Sequence, residues 1–342
     1  MSTALSSLSL ALLAWWVFIP ASAQGDSEIP RMKRLGAGLQ KTGEHTDFAE
    51  EVEEAPTYRL FSSKKEAREH LKGMGITKKG FYPELIKRIK AKDWNTAAII
   101  VQAGVKMNRD SKEEGPLHLA AQYGNVEFLK LMIAHGAKVN TPCTRLQGEP
   151  AGTNLTPIFY AALAGNEENL RFLNEQGDLL ETTSQDKNEW TLIRYAALSG
   201  SRDCVRFLVS WGMNPCKEFQ DGTNALHYAV MSGNVELVHY LVNQGVSPNA
   251  VHHRTGYTPA YYAAMKGNDE ILALLLQNGA NPRICRTSDR STLLHHAAVH
   301  CSEELVQLIM MKGGSPYNHD INHRTPKDWA RMHNRAEVFR KK

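Results

Sequence analysis

A doublet of small residues returns along this chain at a near-constant interval, and it limits the possible folds more than any other feature. The doublets are Ala120-Ala121, Ala161-Ala162, Ala196-Ala197, Ala229-Val230, Ala263-Ala264 and Ala297-Ala298, and the last four steps between them are 35, 33, 34 and 34 residues. A period of this size means a stack of like units, none of which can bury its own apolar face alone. Two glycines keep the same interval. Gly124, Gly165, Gly200, Gly233 and Gly267 follow the doublets, with Cys301 breaking the series in the sixth unit. Gly136, Gly177, Gly212, Gly245, Gly279 and Gly313 each close the apolar run that comes next.

The spacing predicts two short antiparallel helices per unit. Thr-Pro opens the first helix at Thr156, Thr258 and Thr325, because threonine can cap and proline is tolerated in the first turn. The paired small residues let neighbouring units approach closely. The middle glycine ends the first helix, where a left-handed residue is cheap only for glycine. The second helix is apolar at helical spacing, as in Val235, Leu237, Val238 and Leu241.

The stretch "GPLHLAAQYGNVEFLKLMIAHGAKVN", residues 115–140, resembles the ankyrin repeat almost throughout. The resemblance covers Phe81 to Phe339. It implies an all-α solenoid of stacked helix-turn-helix units, with six full repeats and two capping repeats. "PELIKRIKAKDWNTAAIIVQAGVKMN" is the N-terminal unit, and "TPKDWARMHNRAEVFRKK" is the truncated cap. The histidine of the family's Thr-Pro-Leu-His motif is structural and bridges loop and helix start. That role falls here on His118, His227 and His295. Phe159, Arg194 and Tyr261 occupy the same slot in the other repeats, which are expected to lack the bridge and to be locally weaker.

The ends read differently. "LSLALLAWWVFIPASAQ" is an uncharged apolar run followed by Ala21-Ser22-Ala23, which reads as a signal peptide over 1–23. An uncleaved N-terminal anchor, or a cytoplasmic chain with a misleading start, remain the alternatives. Residues 24–60 are acid-rich and form a flexible tether. Residues 61–80 form a short helical lead-in, capped by Ser62 or Ser63 and ended by Gly73 and Gly75, and the repeat domain fills 81–342. The expected location is secreted or periplasmic, with no membrane insertion once the signal is cleaved. No pair among Cys143, Cys204, Cys216, Cys285 and Cys301 suits a disulfide, because stacked helices hold them too far apart. Free thiols sit awkwardly with export.

Candidate chemistry is sparse. The net charge of +4 over 342 residues leaves no electrostatic footprint for nucleic acid. There is no phosphate-binding glycine loop and no nucleophile–histidine–acid set, so neither catalysis nor a cofactor is expected. His296 and His300 lie four apart, as a metal pair would, but nothing recurs to complete a site. The resemblance implies a monomeric scaffold that binds another protein through the concave first-helix face and the loop tips. Three features mark that surface. Tyr160, Tyr195, Tyr228, Tyr262 and His296 precede the doublets, with Leu119 and Trp329 at the ends of the series. This aromatic stripe is either a binding face or packing between adjacent first helices. Tyr123, Trp190, Tyr257, Met231, Met265 and His300 are further surface candidates. The loop between Asn140 and Thr156 is longer than its counterparts, and such insertions commonly fall on a binding side.

Overall fold

The computed structural model describes residues 58–108, 114–143, 155–177 and 191–340. The signal-peptide reading, the acidic tether up to residue 57, Trp190 and most of the long loop after Asn140 lie outside the described residues. All elements below belong to the unit formed by residues 59–146 and 150–342.

A lead-in helix, α1 (Lys64–Gly73), precedes seven helix pairs. These are α2 (Phe81–Lys90) with α3 (Trp94–Gln102), α4 (Pro116–Tyr123) with α5 (Val126–Ala134), and α6 (Pro157–Ala164) with α7 (Glu167–Glu175). Next come α8 (Leu192–Ser199) with α9 (Arg202–Ser210), α10 (Ala225–Ser232) with α11 (Val235–Asn243), and α12 (Pro259–Lys266) with α13 (Asp269–Gln277). Then α14 (Leu293–His300) pairs with α15 (Glu303–Met311), and the eighth unit is α16 (Pro326–Met332) with a 3-10 turn, Ala336–Phe339. First helices pack on first helices and second on second, giving two layers. The described residues contain isolated β-bridges but no sheet.

The doublets are what make the inner layer possible. Every alanine in them is fully buried, and a side chain larger than a methyl at the first position of the doublet, alanine throughout, would push adjacent first helices apart. Each second helix of the six full repeats starts on Asn125, Asn166, Ser201, Asn234, Asn268 or Ser302. The side chain of each accepts the backbone N–H three residues on at 2.9–3.4 Å. Such a cap contributes about 1 kcal/mol. The glycine before the cap is left-handed at Gly165, Gly200, Gly233 and Gly267 (φ 61–83°). Gly124 departs from this expectation, with an extended backbone at φ −91°. Cys301 has nearly the same conformation, φ −101°, so in this unit the backbone turns without the left-handed residue and a side chain is admitted.

The lead-in helix belongs to the stack. Ser63 caps it, accepting from the Glu66 N–H at 3.2 Å. Ala67 and Leu71 are fully buried where it packs on α3. Arg68 Nε donates to the Ala103 carbonyl at 2.8 Å, and the Phe61 N–H donates to Gln102 Oε1 at 2.9 Å. Between units the chain forms narrow finger hairpins, closed by bonds such as Phe219 N–H to Thr223 O at 2.7 Å and Arg286 N–H to Ser291 O at 2.9 Å. Asp221 and Asp289 tighten two fingers by accepting from Thr223 and Ser291 N–H, both at 3.0 Å. Thr255 stands at the corresponding place in the finger between them and accepts more weakly from Tyr257 N–H at 3.4 Å.

Candidate functional site

The histidines point inward. His118 Nδ1 accepts the Gly115 N–H at 3.2 Å, and its Nε2 donates to the Leu155 carbonyl of the next finger at 3.1 Å. His227 does the same between Asn224 N–H (3.1 Å) and the Tyr257 carbonyl (3.3 Å). His295 does so between Thr292 N–H (3.0 Å) and the Arg324 carbonyl (3.1 Å). One ring nitrogen must accept while the other donates, which only neutral imidazole can do. Burial disfavours the charged form and pulls His118 down to about 4 and His227 down to about 3. These groups are latches between units, and the Thr292 hydroxyl beside His295 Nδ1 at 2.9 Å belongs to the same helix-start bridge.

The expectation that Arg194 and Tyr261 leave their units without a bridge is corrected. The Tyr261 hydroxyl lies 2.7 Å from the Ser291 carbonyl and 2.8 Å from the Ile284 carbonyl, both in the next finger. A phenol at the longer reach thus replaces the imidazole. Arg194 is buried and donates to Asp221 Oδ2 of the next finger at 2.6 Å and to the Tyr228 hydroxyl. Its charge is met by a carboxylate and two ring faces, with Phe219 and Tyr228 centroids at 4.9 and 4.6 Å. Burial works against the Asp221 carboxylate, yet the Arg194 guanidinium and Thr223 hold its pKa below the usual value. Phe159, which has no polar group to offer, packs its ring on Tyr195 of the next unit. In the terminal unit the slot holds Asp328, which accepts from Thr325 N–H (2.9 Å) and Oγ1 (2.6 Å) while Thr325 caps Asp328 N–H. It closes its own helix start instead of reaching outward. Thr156 and Thr258 make no such side-chain cap.

The aromatic stripe is the other half of the same device. Each slot residue packs against the stripe residue of the following unit, edge to face. Centroids are 5.1 Å apart for His118–Tyr160, 5.7 Å for Phe159–Tyr195, 6.0 Å for His227–Tyr262, 5.4 Å for Tyr261–His296 and 5.2 Å for His295–Trp329. Arg194 over Tyr228 completes the series. The polar tips of Tyr160, Tyr228, His296 and Trp329 turn back into their own finger. Tyr160 meets Cys143 Sγ at 3.1 Å, Tyr228 meets Thr223 Oγ1 at 3.2 Å, and His296 Nε2 meets Ser291 Oγ at 3.1 Å. Trp329 Nε1 donates to Asp320 Oδ2 at 2.9 Å.

Several sequence candidates therefore change meaning. Tyr160, Tyr195, Tyr228, Tyr262 and His296 are buried, as are Tyr257 and Met231, so they offer a partner no surface. Where the fingers are described they pack on the first helices and cover the stripe. Tyr257, for example, packs edge to face on Tyr262 at 5.2 Å with Arg286 over its ring at 4.4 Å. His296 is also removed from any metal pair with His300, being fixed to Ser291. Tyr123 and Met265 are half-buried and His300 is exposed, at the C-terminal ends of the first helices. The fingertips add His253, Arg254, Arg290 and His323, all exposed, none of which the sequence reading placed on a partner-binding surface. Their signal was position alone, between the small-residue doublets. All five cysteines are free, with Cys216 and Cys285 exposed and the others buried. Among the described residues, no helix is long and apolar enough to cross a membrane.

The sequence matches the family described as "Ankyrin repeats (3 copies)" over residues 84–184, 142–218, 159–252, 213–284 and 262–341. No curated protein matches it. Among solved structures, the human ASB11 ankyrin repeat domain is similar, with a TM-score of 0.55 and 24% identity, covering 66% of this chain and 96% of that one. The ankyrin repeat domain of Bcl-3, described as a unique member of the IkappaB protein family, gives a TM-score of 0.49 and 24% identity over 68% of this chain and 100% of that one. Likeness at this level concerns the fold. The helix pairs, the latching histidines and the family match over residues 84–341 together establish that the chain belongs to the ankyrin repeat family.

Proposed function

We propose that this protein is a non-catalytic, exported, monomeric scaffold that binds another protein along its fingertips and the exposed ends of its first helices. Ankyrin repeat domains are generally protein-binding and non-catalytic, and that supports the class. One observation carries the placement: the slot and stripe side chains are consumed in joining units, while the fingertips and helix ends stay exposed and differ from unit to unit. Tyr123, Met265 and His300 vary along one edge, and His253, Arg254, Arg290 and His323 along the other. Varied exposed side chains on a rigid frame give specificity at little ordering cost. The apolar leader over 1–23 supports export. The free, partly exposed cysteines favour the second reading, an adaptor kept in a reducing compartment.

The test is capture of partners by the full chain, beside two folded variants. One carries His253→Glu and Arg254→Glu, the other Tyr123→Ala and Met265→Ser. A partner retained by the wild type and lost by either variant, at unchanged melting temperature, supports the surface. Equal capture by all three refutes it. N-terminal sequencing of the protein from its producing cell, starting at Gln24 or at Met1, separates export from the adaptor reading.

A further inference from the structure

Two of the fingers carry side chains that their own folding does not ask for. In four successive fingers the residue before the closing one is left-handed: Gly222, Gly256, Arg290 and His323, at φ 59–78°. Space dictates glycine at the first two. A Cβ on Gly222 would run into the Val251 carbonyl oxygen, and one on Gly256 would meet the Thr287 nitrogen at 2.8 Å. Arg290 and His323 hold a conformation that is costly for any residue with a Cβ and free for glycine. Both are exposed. A strained backbone kept for an exposed side chain points to a use outside the fold. The acids of these fingers face the other way. Asp221 is taken up by Arg194 and Thr223, Asp289 by Arg286 at 2.8 Å and Ser291, and Asp320 by Arg324 at 3.0 Å and Trp329 at 2.9 Å. No other Asp or Glu stands in residues 251–257, 286–291 or 320–324. The titratable side chains left exposed at these three tips are His253, Arg254, Arg290 and His323. Backbone bonds tie the tips to their neighbours, His253 N–H to Asp221 O at 2.8 Å and Ile321 N–H to Asp289 O at 2.7 Å. Net charge does not choose this row, since residues 59–92 hold eleven Lys and Arg against three Asp and Glu. The repeated left-handed position and the inward carboxylates choose it.

We propose that this row receives an extended acidic segment of a partner protein, with one carboxylate for each fingertip. This occupant presupposes the fingertip surface proposed above and gives it a partner chemistry. Spacing sets the pattern. Packed helices of adjacent units lie about 8–10 Å apart, and the fingers follow them at that interval. A polyproline-type segment rises about 3.1 Å per residue with three residues per turn, so every third side chain points the same way, about 9 Å on. An acid at every third residue therefore meets Arg254, Arg290 and His323 in turn, the guanidinium groups as forks and the imidazole as a single donor. Ile321, 57% exposed in the same finger as His323, gives the intervening residues an apolar contact. A segment that is already extended loses little freedom on a row that is already fixed. A basic segment would meet like charge instead.

The experiment uses the full chain and a fluorescein-labelled synthetic peptide of four Glu-Pro-Pro repeats. A second peptide has lysine for glutamate, and a third has the same composition with its four glutamates grouped at one end. In fluorescence anisotropy at low salt, the first peptide should bind. The lysine peptide should bind at least tenfold more weakly, and the grouped peptide at least threefold more weakly. Arg290→Gly with His323→Gly removes both side chains and relaxes both turns. This variant should weaken the first peptide at least tenfold while its melting temperature holds or rises. Lys78→Glu with Lys79→Glu, in the basic region at the other end of the stack, should leave binding unchanged. No binding, equal binding of either control peptide, or a loss at 78 and 79 in place of 290 and 323 overturns the proposal. A lowered melting temperature of the glycine variant also overturns it, by making the two side chains part of the fold. A twelve-nucleotide single strand that binds at least tenfold tighter than the acidic peptide overturns it in favour of nucleic acid. Absent peptide binding, together with loss of the captured partner on His253→Glu with Arg254→Glu, leaves the fingertip surface standing and removes its acidic occupant. Equal capture by every variant removes the surface and the occupant together.

Discussion

Acidification should loosen this stack well before its carboxylates titrate. His118, His227 and His296 are buried, and burial places them at about 4, about 3 and about 3, against 6.5 for exposed histidine. The folded pKa is depressed, so the unfolded chain takes up protons first. Stability is therefore fully present above about pH 6.5 and falls as pH drops through the window between 6.5 and the folded values. At pH 5 each of the three costs about 2 kcal/mol, or about 6 kcal/mol together. His295 shifts in the same direction. That is a large share of the ~5–15 kcal/mol typical of folded domains. Urea denaturation of the full chain at pH 8, 7, 6, 5.5 and 5 should give a nearly flat stability down to pH 7. A loss of about 3–4 kcal/mol per pH unit should follow between 6 and 5. Asp221, Asp320 and Asp328 are all held below the usual carboxylate range, so they act at lower pH and leave this window to histidine. His227→Gln keeps a side chain that can donate and accept but cannot titrate, and it should reduce the slope by about a third. A slope under about 1 kcal/mol per unit, or imidazole resonances of these residues titrating near 6.5 in the folded protein, would refute the reasoning.

Three further outcomes test the packing. Asp221→Ala strands the buried Arg194 charge and should cost about 3 kcal/mol, and adding Arg194→Met should recover most of it; equal effects for the single and double changes would deny the coupling. Ala229→Leu should lower the denaturation midpoint by about 2 kcal/mol or more, because a fully buried methyl between two first helices has no room to grow. Asn234→Ala removes both the cap on Leu237 N–H and the 2.9 Å bond to the Gly200 carbonyl of the preceding unit; a loss of about 2 kcal/mol is expected in the same assay.

The period and the helix pairs are legible in the sequence because they rest on residues that recur in every unit, and the structural role of His118, His227 and His295 follows from the resemblance to the ankyrin repeat. The sequence also contains a signal that the glycine pattern obscures. The residue after each middle glycine is Asn125, Asn166, Ser201, Asn234 or Asn268, and Ser302 follows Cys301, so the second-helix caps could be read directly. The mating of slot and stripe was not legible in the same way. It depends on pairs 34 to 42 residues apart, such as His118 with Tyr160 and Arg194 with Tyr228, that meet only once units stack. Arg194 and Tyr261 look like lost bridges when compared with histidine at their own position. They become bridges of another kind only when Asp221 and Ser291 of the next finger are considered with them. The stripe was ambiguous for a related reason, since nothing local shows that the described fingers cover it.

The slot–stripe pairing also bears on how such an array can change by gain or loss of units. In shape the units are interchangeable, and excising residues 214–246 would keep every remaining helix in phase. The excision would nonetheless carry Thr255 to the place of Asp221 and Tyr262 to that of Tyr228, leaving the Arg194 guanidinium in the interior opposite a neutral hydroxyl. A unit here is matched to its successor by chemistry, charge to carboxylate, imidazole or phenol to carbonyl. Shuffling or deletion is therefore tolerated only where the new neighbour answers the same group. The His118, His227 and His295 junctions ask only for a backbone carbonyl, which Leu155, Tyr257 and Arg324 supply. The Arg194 junction asks for one particular partner, so the array can recombine freely on either side of it but not across it.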